Sequence, residues 1–229
     1  MSEIAANLSR IREQIKIACQ KCGRDPKTVR LVAVSKKKPG QVISEAYAAG
    51  QQIFGESYVQ EFTQKVEALQ LPLEWHFIGG LQGNKVKYLR GKTALIHSVD
   101  RYSLAREISS QWGKIDATAQ ILLQFNLGRE TSKSGADETE ALDLARKICA
   151  LPHLQVRGLM TLPPYYDDPE EVRPYFRRLR QLGESLAAEN LPNLQMQELS
   201  MGMSHDFSVA IEEGATLVRV GTAIFGARD

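Results

Sequence analysis

The chain has 229 residues, 43% hydrophobic and 24% charged, with a formal net charge of +2. That is enough apolar material for one large domain or two small ones, and too little net charge to argue for a nucleic-acid or membrane partner. No run approaches the roughly 18 apolar residues that a membrane span requires. The opening Met1-Ser-Glu-Ile lacks the basic and apolar regions of a signal peptide.

Residues 3–22 carry Ile4, Leu8, Ile11, Ile15 and Ala18 at spacings of three and four, one face of a helix that Gly23 ends. Cys19 and Cys22, spaced C-x-x-C, fall late in that pattern with no second pair and no nearby histidine. With Cys149 they read as ordinary thiols of a reduced cytoplasm. Residues 31–34 are apolar throughout, as expected of a strand buried on both faces. Helices then alternate with strands: helix 42–49, strand 52–54, helix 58–69, strand 75–78, short helix 84–89, strand 94–99. Ser103 is placed to cap a helix over 103–112. Strand 119–125, helix 137–150, strand 154–160, helix 172–188, strand 194–199, helix 204–213 and strand 216–220 follow, then a short tail over 223–229.

Eight strands separated by helices should be parallel. The spacing predicts a closed (β/α)8 TIM-type barrel of near-minimal length, with residues 1–23 as an extra N-terminal helix and residues 1–229 as a single domain. A doubly wound open sheet is the alternative, although the first strand-to-helix turn has no Gly-rich phosphate fingerprint.

Functional groups of such barrels sit at the C-terminal ends of the strands, and phosphate sites follow strands seven and eight. That rule selects Lys36 after the first strand, Ser200-Met-Gly-Met-Ser204 after the seventh and Arg219-Val-Gly-Thr222 around the end of the eighth. Gly202 and Gly221 let backbone approach a phosphate, Ser204 is placed to cap a helix whose first N–H groups face the mouth, and Thr222 adds a hydroxyl. Arg219 shares the parity of Leu217 and Gly221. It lies inside the barrel if that set points inward, and against the helices if it does not. A lysine partly desolvated at a strand end is suited to attack a carbonyl, whereas Lys37 and Lys38 are further from the sheet. His76, His97, His153 and His205 are scattered with no metal-ligand spacing, so no metal is expected. His205 is assigned to a helix surface. The loop 129–135 is polar: a rim of the mouth or a solvated connection.

Leu31-Val-Ala-Val-Ser-Lys36, Phe54-Gly-Glu-Ser-Tyr-Val-Gln-Glu61, Trp75-His-Phe-Ile-Gly79, Leu81-Gln82, Asn84-Lys85, Lys133-Ser-Gly135, Arg157-Gly-Leu-Met160, Ser200-Met-Gly-Met-Ser204 and Val218-Arg-Val-Gly-Thr-Ala-Ile-Phe-Gly226 occur in this order across the chain. As an ordered set they resemble the pyridoxal-phosphate homeostasis proteins, a family of PLP-binding proteins related to the N-terminal domain of alanine racemase. The resemblance implies a fold-type III PLP barrel. In it Lys36 forms a covalent aldimine with pyridoxal 5'-phosphate and Arg219 faces the pyridine nitrogen. Ser200, the Gly202 to Ser204 turn, Gly221 and Thr222 hold the phosphate, and Ser57 stands among the cofactor-binding positions. Ser57 departs from the asparagine common in the family's Gly-Glu-Asn-Tyr. Gly80 replaces a residue that is often proline.

An arginine beside the pyridine nitrogen keeps that nitrogen unprotonated and the ring a weak electron sink. In the related racemases a β domain and partner subunit supply the second base, and no such domain is expected after Thr222 here. The expectation is a monomeric, non-catalytic carrier that buffers PLP or delivers it to PLP-requiring apo-enzymes, with effects on amino-acid and keto-acid balance. A racemase-like PLP enzyme and a PLP-free Schiff-base aldolase acting on phosphorylated sugars are the alternatives.

Overall fold

The computed structural model describes residues 2–130 and 133–226. Part of the polar loop 129–135 and the end of the tail lie outside the described residues. The chain begins with helix α1 (Glu3–Lys21), whose buried stripe is the set read from the sequence, and Ser2 Oγ accepts from the Ala5 N–H at 3.3 Å. Strand β1 (Arg30–Val34) and helix α2 (Gly40–Ala48) follow, then β2 (Ile53–Glu56), α3 (Val59–Ala68), β3 (Glu74–Phe77) and β4 (Leu95–Val99). After these come α4 (Tyr102–Gly113), β5 (Ala119–Phe125), α5 (Ala141–Cys149), β6 (Leu154–Thr161), α6 (Arg173–Ala188), β7 (Leu194–Ser200), α7 (Phe207–Glu212), β8 (Leu217–Val220) and α8 (Thr222–Phe225).

The eight strands form one closed parallel barrel in sequence order, and β1 pairs with β8 in the register Val32↔Arg219, Ala33↔Val220. The open doubly wound sheet is thereby excluded. Closure satisfies every strand edge. It also splits the apolar residues by parity into two clusters. Val32, Ile53, Leu95, Leu122, Met160 and Leu217 fill the barrel interior. The alternate residues face the helices, where Phe54, Phe62, Trp75 and Phe77 pack with ring centroids 6.0–6.4 Å apart. Each fully buried side chain of this size is worth about 1.5–3 kcal/mol, so the outer layer supplies most of the stability and leaves the interior free to carry polar groups. Helix α1 packs on α2, α7 and α8, across the seam where β8 meets β1. Cys19, Cys22 and Cys149 are free thiols.

Several boundaries differ from expectation. The segment 84–89 is a 3-10 helix, Gly83–Tyr88. Helix α4 starts at Tyr102 without a side-chain cap. Arg101 precedes it, anchored to Asp100 Oδ1 at 2.6 Å and the Leu81 carbonyl at 3.1 Å, so Ser103 does not cap it. The helices expected over 137–150 and 172–188 each open with a 3-10 turn capped by an aspartate, Asp137 or Asp168. The helix expected from residue 204 begins only at Phe207. The Asp206 carboxylate reaches back to the Met203 N–H at 2.6 Å and closes a turn over 204–206, so Ser204 is no helix cap. The tail contains helix α8, which the sequence reading missed.

Candidate functional site

Lys36 follows β1 at the C-terminal end of the barrel, and its backbone is held from outside. Ser35 Oγ donates to Glu56 Oε1 at 2.6 Å, and Lys65 Nζ lies 2.7 Å from both the Ser35 carbonyl and Glu56 Oε1. Lys65 also reaches Glu61 Oε1 at 2.6 Å, and that oxygen accepts the Lys37 N–H at 2.5 Å. Lys37 adopts φ 60°, a left-handed conformation that costs a non-glycine residue about 1 kcal/mol or more. The bond to Glu61 holds it there. Glu56 is fully buried, and burial raises its carboxyl above the usual range despite the adjacent Lys65. Glu56 and Glu61 fall in the stretch Phe54-Gly-Glu-Ser-Tyr-Val-Gln-Glu61 read from the sequence, but with no role assigned to either, and Lys65 was not singled out. The available signal was the Glu61–Lys65 spacing of four on α3, which puts both on one helix face.

Arg219 points into the barrel and is only 4% exposed. Of the two parity readings, the inward one holds. Its Nη1 donates to Ser200 Oγ at 2.6 Å and its Nη2 to the Thr161 carbonyl at 3.0 Å, which engages two of its five N–H donors. Burial pushes Arg219 down to about 10, which leaves it charged at neutral pH. Ser200 is fully buried, and its hydroxyl also lies 2.9 Å from His97 Nδ1. The Ser200 hydroxyl thus lies between Arg219 and His97. His97 in turn contacts His76 at 2.9 Å, so two histidines read as scattered meet inside the barrel. The β3 and β4 register, which pairs His76 with Leu95, sets them side by side, and sequence spacing carries no trace of it. His205 is exposed in the turn before α7, with Nε2 3.0 Å from the Asp167 carbonyl. Among the described residues no group of three or more His, Cys, Asp or Glu is placed to hold a metal.

Two glycine turns close the site. Gly202 has φ +90°, and a Cβ there would lie 2.6 Å from the Ala210 Cβ. A Cβ on Gly221 would lie 3.2 Å from the Val34 carbonyl oxygen. The Arg219 N–H donates to the Gly202 carbonyl at 3.0 Å, which ties the first turn to β8. Ser204 is half-buried in that turn. Because β8 lies beside β1, Gly221 and Thr222 line one small cleft of about 20 Å³ with Val34, Lys36 and Lys38. Ser57 lines a different and larger cleft of about 640 Å³, with Tyr58, Gly80, Gln82 and Lys85 among its neighbours. The structure thus joins Lys36 to Gly221 and Thr222, and Arg219 to Ser200 and Gly202.

A strand-end lysine, an inward arginine and two backbone turns on a closed parallel barrel define the alanine racemase N-terminal domain class, and residues 6–229 match the model of that family. Alanine racemase from Corynebacterium glutamicum shares the fold with a TM-score of 0.73 at 19% identity, over 96% of this chain and 62% of that one. Within the class, the chain belongs to the pyridoxal phosphate homeostasis protein family. It is 50% identical over 222 residues to the pyridoxal phosphate homeostasis protein of Aquifex aeolicus (strain VF5), covering 96% of each chain. The namesake of Escherichia coli (strain K12) is 42% identical over 233 residues, covering 100% of this chain and 98% of that one. PipY of Synechococcus elongatus PCC7942, solved with PLP bound, superposes with a TM-score of 0.86 at 36% identity over 97% of this chain and 100% of that one.

Proposed function

We propose that this chain binds pyridoxal 5'-phosphate through Lys36 Nζ and serves intracellular PLP homeostasis, buffering the cofactor or delivering it to PLP-requiring apo-enzymes without catalysing a reaction of its own. The observation that carries this reading is the shared cleft of Lys36, Gly221 and Thr222, with the buried Arg219 two residues before Gly221 in the chain. The residues present fit the group. Gly202 and Gly221 occupy positions where any Cβ would crowd neighbouring atoms, as a backbone cradle for phosphate requires. The names of the relatives and the PLP-bound PipY structure support the same reading.

Bound PLP supplies an aldehyde that combines with amines and a pyridine ring that takes up electrons. Lys36 holds the aldehyde carbon. The turn at residues 202–204, Gly221 and Thr222 would hold the phosphate, with Ser57 among the cofactor-binding positions. Ser200 serves the ring side, through Arg219. The Arg219 guanidinium would face the ring nitrogen, and as an adjacent cation it would disfavour that nitrogen's protonation. Tyr58, Tyr165 and Tyr166 are the tyrosines weighed as a second proton donor, and nothing in the sequence aims them. Tyr58 and Tyr165 are 51% and 69% exposed, and the Tyr166 hydroxyl pairs with that of Tyr175 at 2.9 Å. A carrier fits this arrangement better than a racemase, which needs acid–base groups on both faces of one carbon. The reading includes a cytoplasmic monomer in which the whole chain is one cofactor-binding domain.

The test is the visible spectrum of the purified protein beside Lys36→Ala. A yellow wild type whose band is lost in the variant is expected. A protein that stays colourless with added PLP would overturn the proposal. Amino-acid α-proton exchange above that of free PLP, dependent on Lys36, would make it an enzyme instead.

A further inference from the structure

A single line of hydrogen bonds runs through the barrel interior. Arg219 Nη1 donates to Ser200 Oγ at 2.6 Å, Ser200 Oγ lies 2.9 Å from His97 Nδ1, His97 Nε2 lies 2.9 Å from His76 Nδ1, and His76 Nε2 lies 2.9 Å from Glu74 Oε1. Ser200, His97 and His76 are all fully buried, whereas the Glu74 side chain is 39% exposed. Arg219 and Ser200 lie toward the C-terminal ends of β8 and β7, while Glu74 begins β3. The line therefore leads from beneath the proposed cofactor site toward the opposite mouth. There Glu74 borders a cavity of about 330 Å³ with Arg30, Gln120, Arg157 and Glu198.

The direction of each bond follows from its ends. Glu74 is held ionised, below the usual carboxylate range, by the bond from His76, so it accepts and His76 donates from Nε2. Burial lowers both histidines and keeps them neutral. A neutral ring has one donor and one acceptor. His76 Nδ1 therefore accepts from His97 Nε2, and His97 Nδ1 accepts from the Ser200 hydroxyl. That hydroxyl, its hydrogen used, offers a lone pair to Arg219, which can only donate. Every link points the same way, from a cation at one end to an anion at the other. Such a line is self-polarising, each bond strengthening the next.

We propose that Glu74, His76, His97 and Ser200 are positioning residues that act as one oriented relay: they fix the Arg219 guanidinium against the cofactor ring and couple it to the charge state of the cavity at the barrel's far mouth. The proposal rests on the PLP-binding reading given above. The charged groups that bear on the relay are Arg30, bonded to Glu74 at 3.3 Å and to Glu198 at 2.7 Å, Arg157 across the cavity, and Asp206 near Arg219. Lys36, Gly221 and Thr222 take no part in it. A solute or substitution that neutralises Glu74 depolarises the relay without touching the cofactor site.

The test uses the full-length protein and four variants: Glu74→Gln, His97→Gln, His97→Leu and Lys36→Ala. Glutamine at 97 can accept from Ser200 and donate to His76, whereas leucine can do neither. PLP affinity by equilibrium dialysis and the visible spectrum are read beside thermal unfolding of the PLP-free protein. Glu74→Gln and His97→Leu are expected to weaken PLP retention by about fivefold or more, the lower bound of coupling between linked sites. His97→Gln restores it, and Glu74→Gln leaves the PLP-free melting temperature unchanged. Wild-type affinity and spectrum in both Glu74→Gln and His97→Leu would overturn the relay while leaving the function intact. A wild type that fails to bind PLP overturns the functional reading instead. The relay's orientation then still stands or falls on imidazole 15N spectra of the PLP-free protein, where both rings must be neutral Nε2–H tautomers. An Nδ1–H tautomer in either ring would sink it. If His97→Leu does not fold, Glu74→Gln and the tautomer spectra decide.

Discussion

Lys65→Met removes the cation at the centre of the network that holds the residues flanking Lys36. Its ammonium lies 2.7 Å from Glu56 Oε1, 2.7 Å from the Ser35 carbonyl and 2.6 Å from Glu61 Oε1. The Glu61 side chain keeps 22% exposure and can turn to water, but Glu56 has none. The substitution therefore strands one buried carboxylate. An exposed pair would be worth about 0–1 kcal/mol. Removing one partner of a buried pair costs about 3–5 kcal/mol, and full burial of Glu56 selects that range. At roughly 2–4 °C per kcal/mol for a chain of this size, the melting temperature should fall by about 6–20 °C. Urea unfolding of the PLP-free protein, followed by circular dichroism, gives the free energy directly. The deficit should grow with pH. A carboxyl raised in the folded state contributes stability fully present below its unfolded value and lost as pH rises through the folded one, and loss of Lys65 raises Glu56 further. Glu56→Gln/Lys65→Met, which leaves no stranded charge, should recover part of the loss. A cost below about 1 kcal/mol for Lys65→Met would refute the reasoning, since the pair would then behave as a surface pair.

Three further outcomes are expected. Gly202→Ala forces a Cβ to within 2.6 Å of the Ala210 Cβ at φ +90°, so PLP retention measured by dialysis should drop well before the fold is lost. Glu170 is held below the usual carboxylate range by its bond from Arg173, and Glu212 by bonds from Lys21 and then Arg173. Their contribution is present above the ordinary value of 4.5 and is lost as pH falls through the lower folded values, so acid should lower the urea midpoint, with Arg173→Gln flattening that fall. Finally, a thiol reagent should modify Cys22 first in the native protein. Cys19 and Cys149 are buried, and burial pushes Cys149 up to about 11; reaction of all three at one rate without denaturant would contradict the packing of α1 and α5.

Much of this protein is legible in one dimension because its signals are local. Short apolar runs and helical periodicity placed eight strands and their helices, and an apolar run ending in Lys36 marked a strand end. Gly202 and Gly221 announced turns where backbone is approached closely. Alternation alone left two readings of Arg219, and only the closed barrel chose the inward one. The cap assignments failed at Ser103 and Ser204 for a local reason of another kind: Arg101 and Asp206 engage groups outside their helices, and the helix starts shift accordingly.

What the sequence determined by itself was the order of the eight strands and of the helices between them, which left a closed barrel and an open sheet as the two candidates. It also placed Lys36 and the two glycine turns at strand ends, because covalent neighbours and short-range periodicity fix those features. What only the tertiary structure decided was which polar side chains meet. Closing β8 onto β1 brought Lys36 to Gly221, and the strand registers brought His76 to His97 and Ser200 to Arg219. The partners in those contacts lie up to 185 residues apart in the chain, as Lys36 and Gly221 do. Their contact is set by the stagger of strands around a closed cylinder, a geometric constraint that no local pattern records.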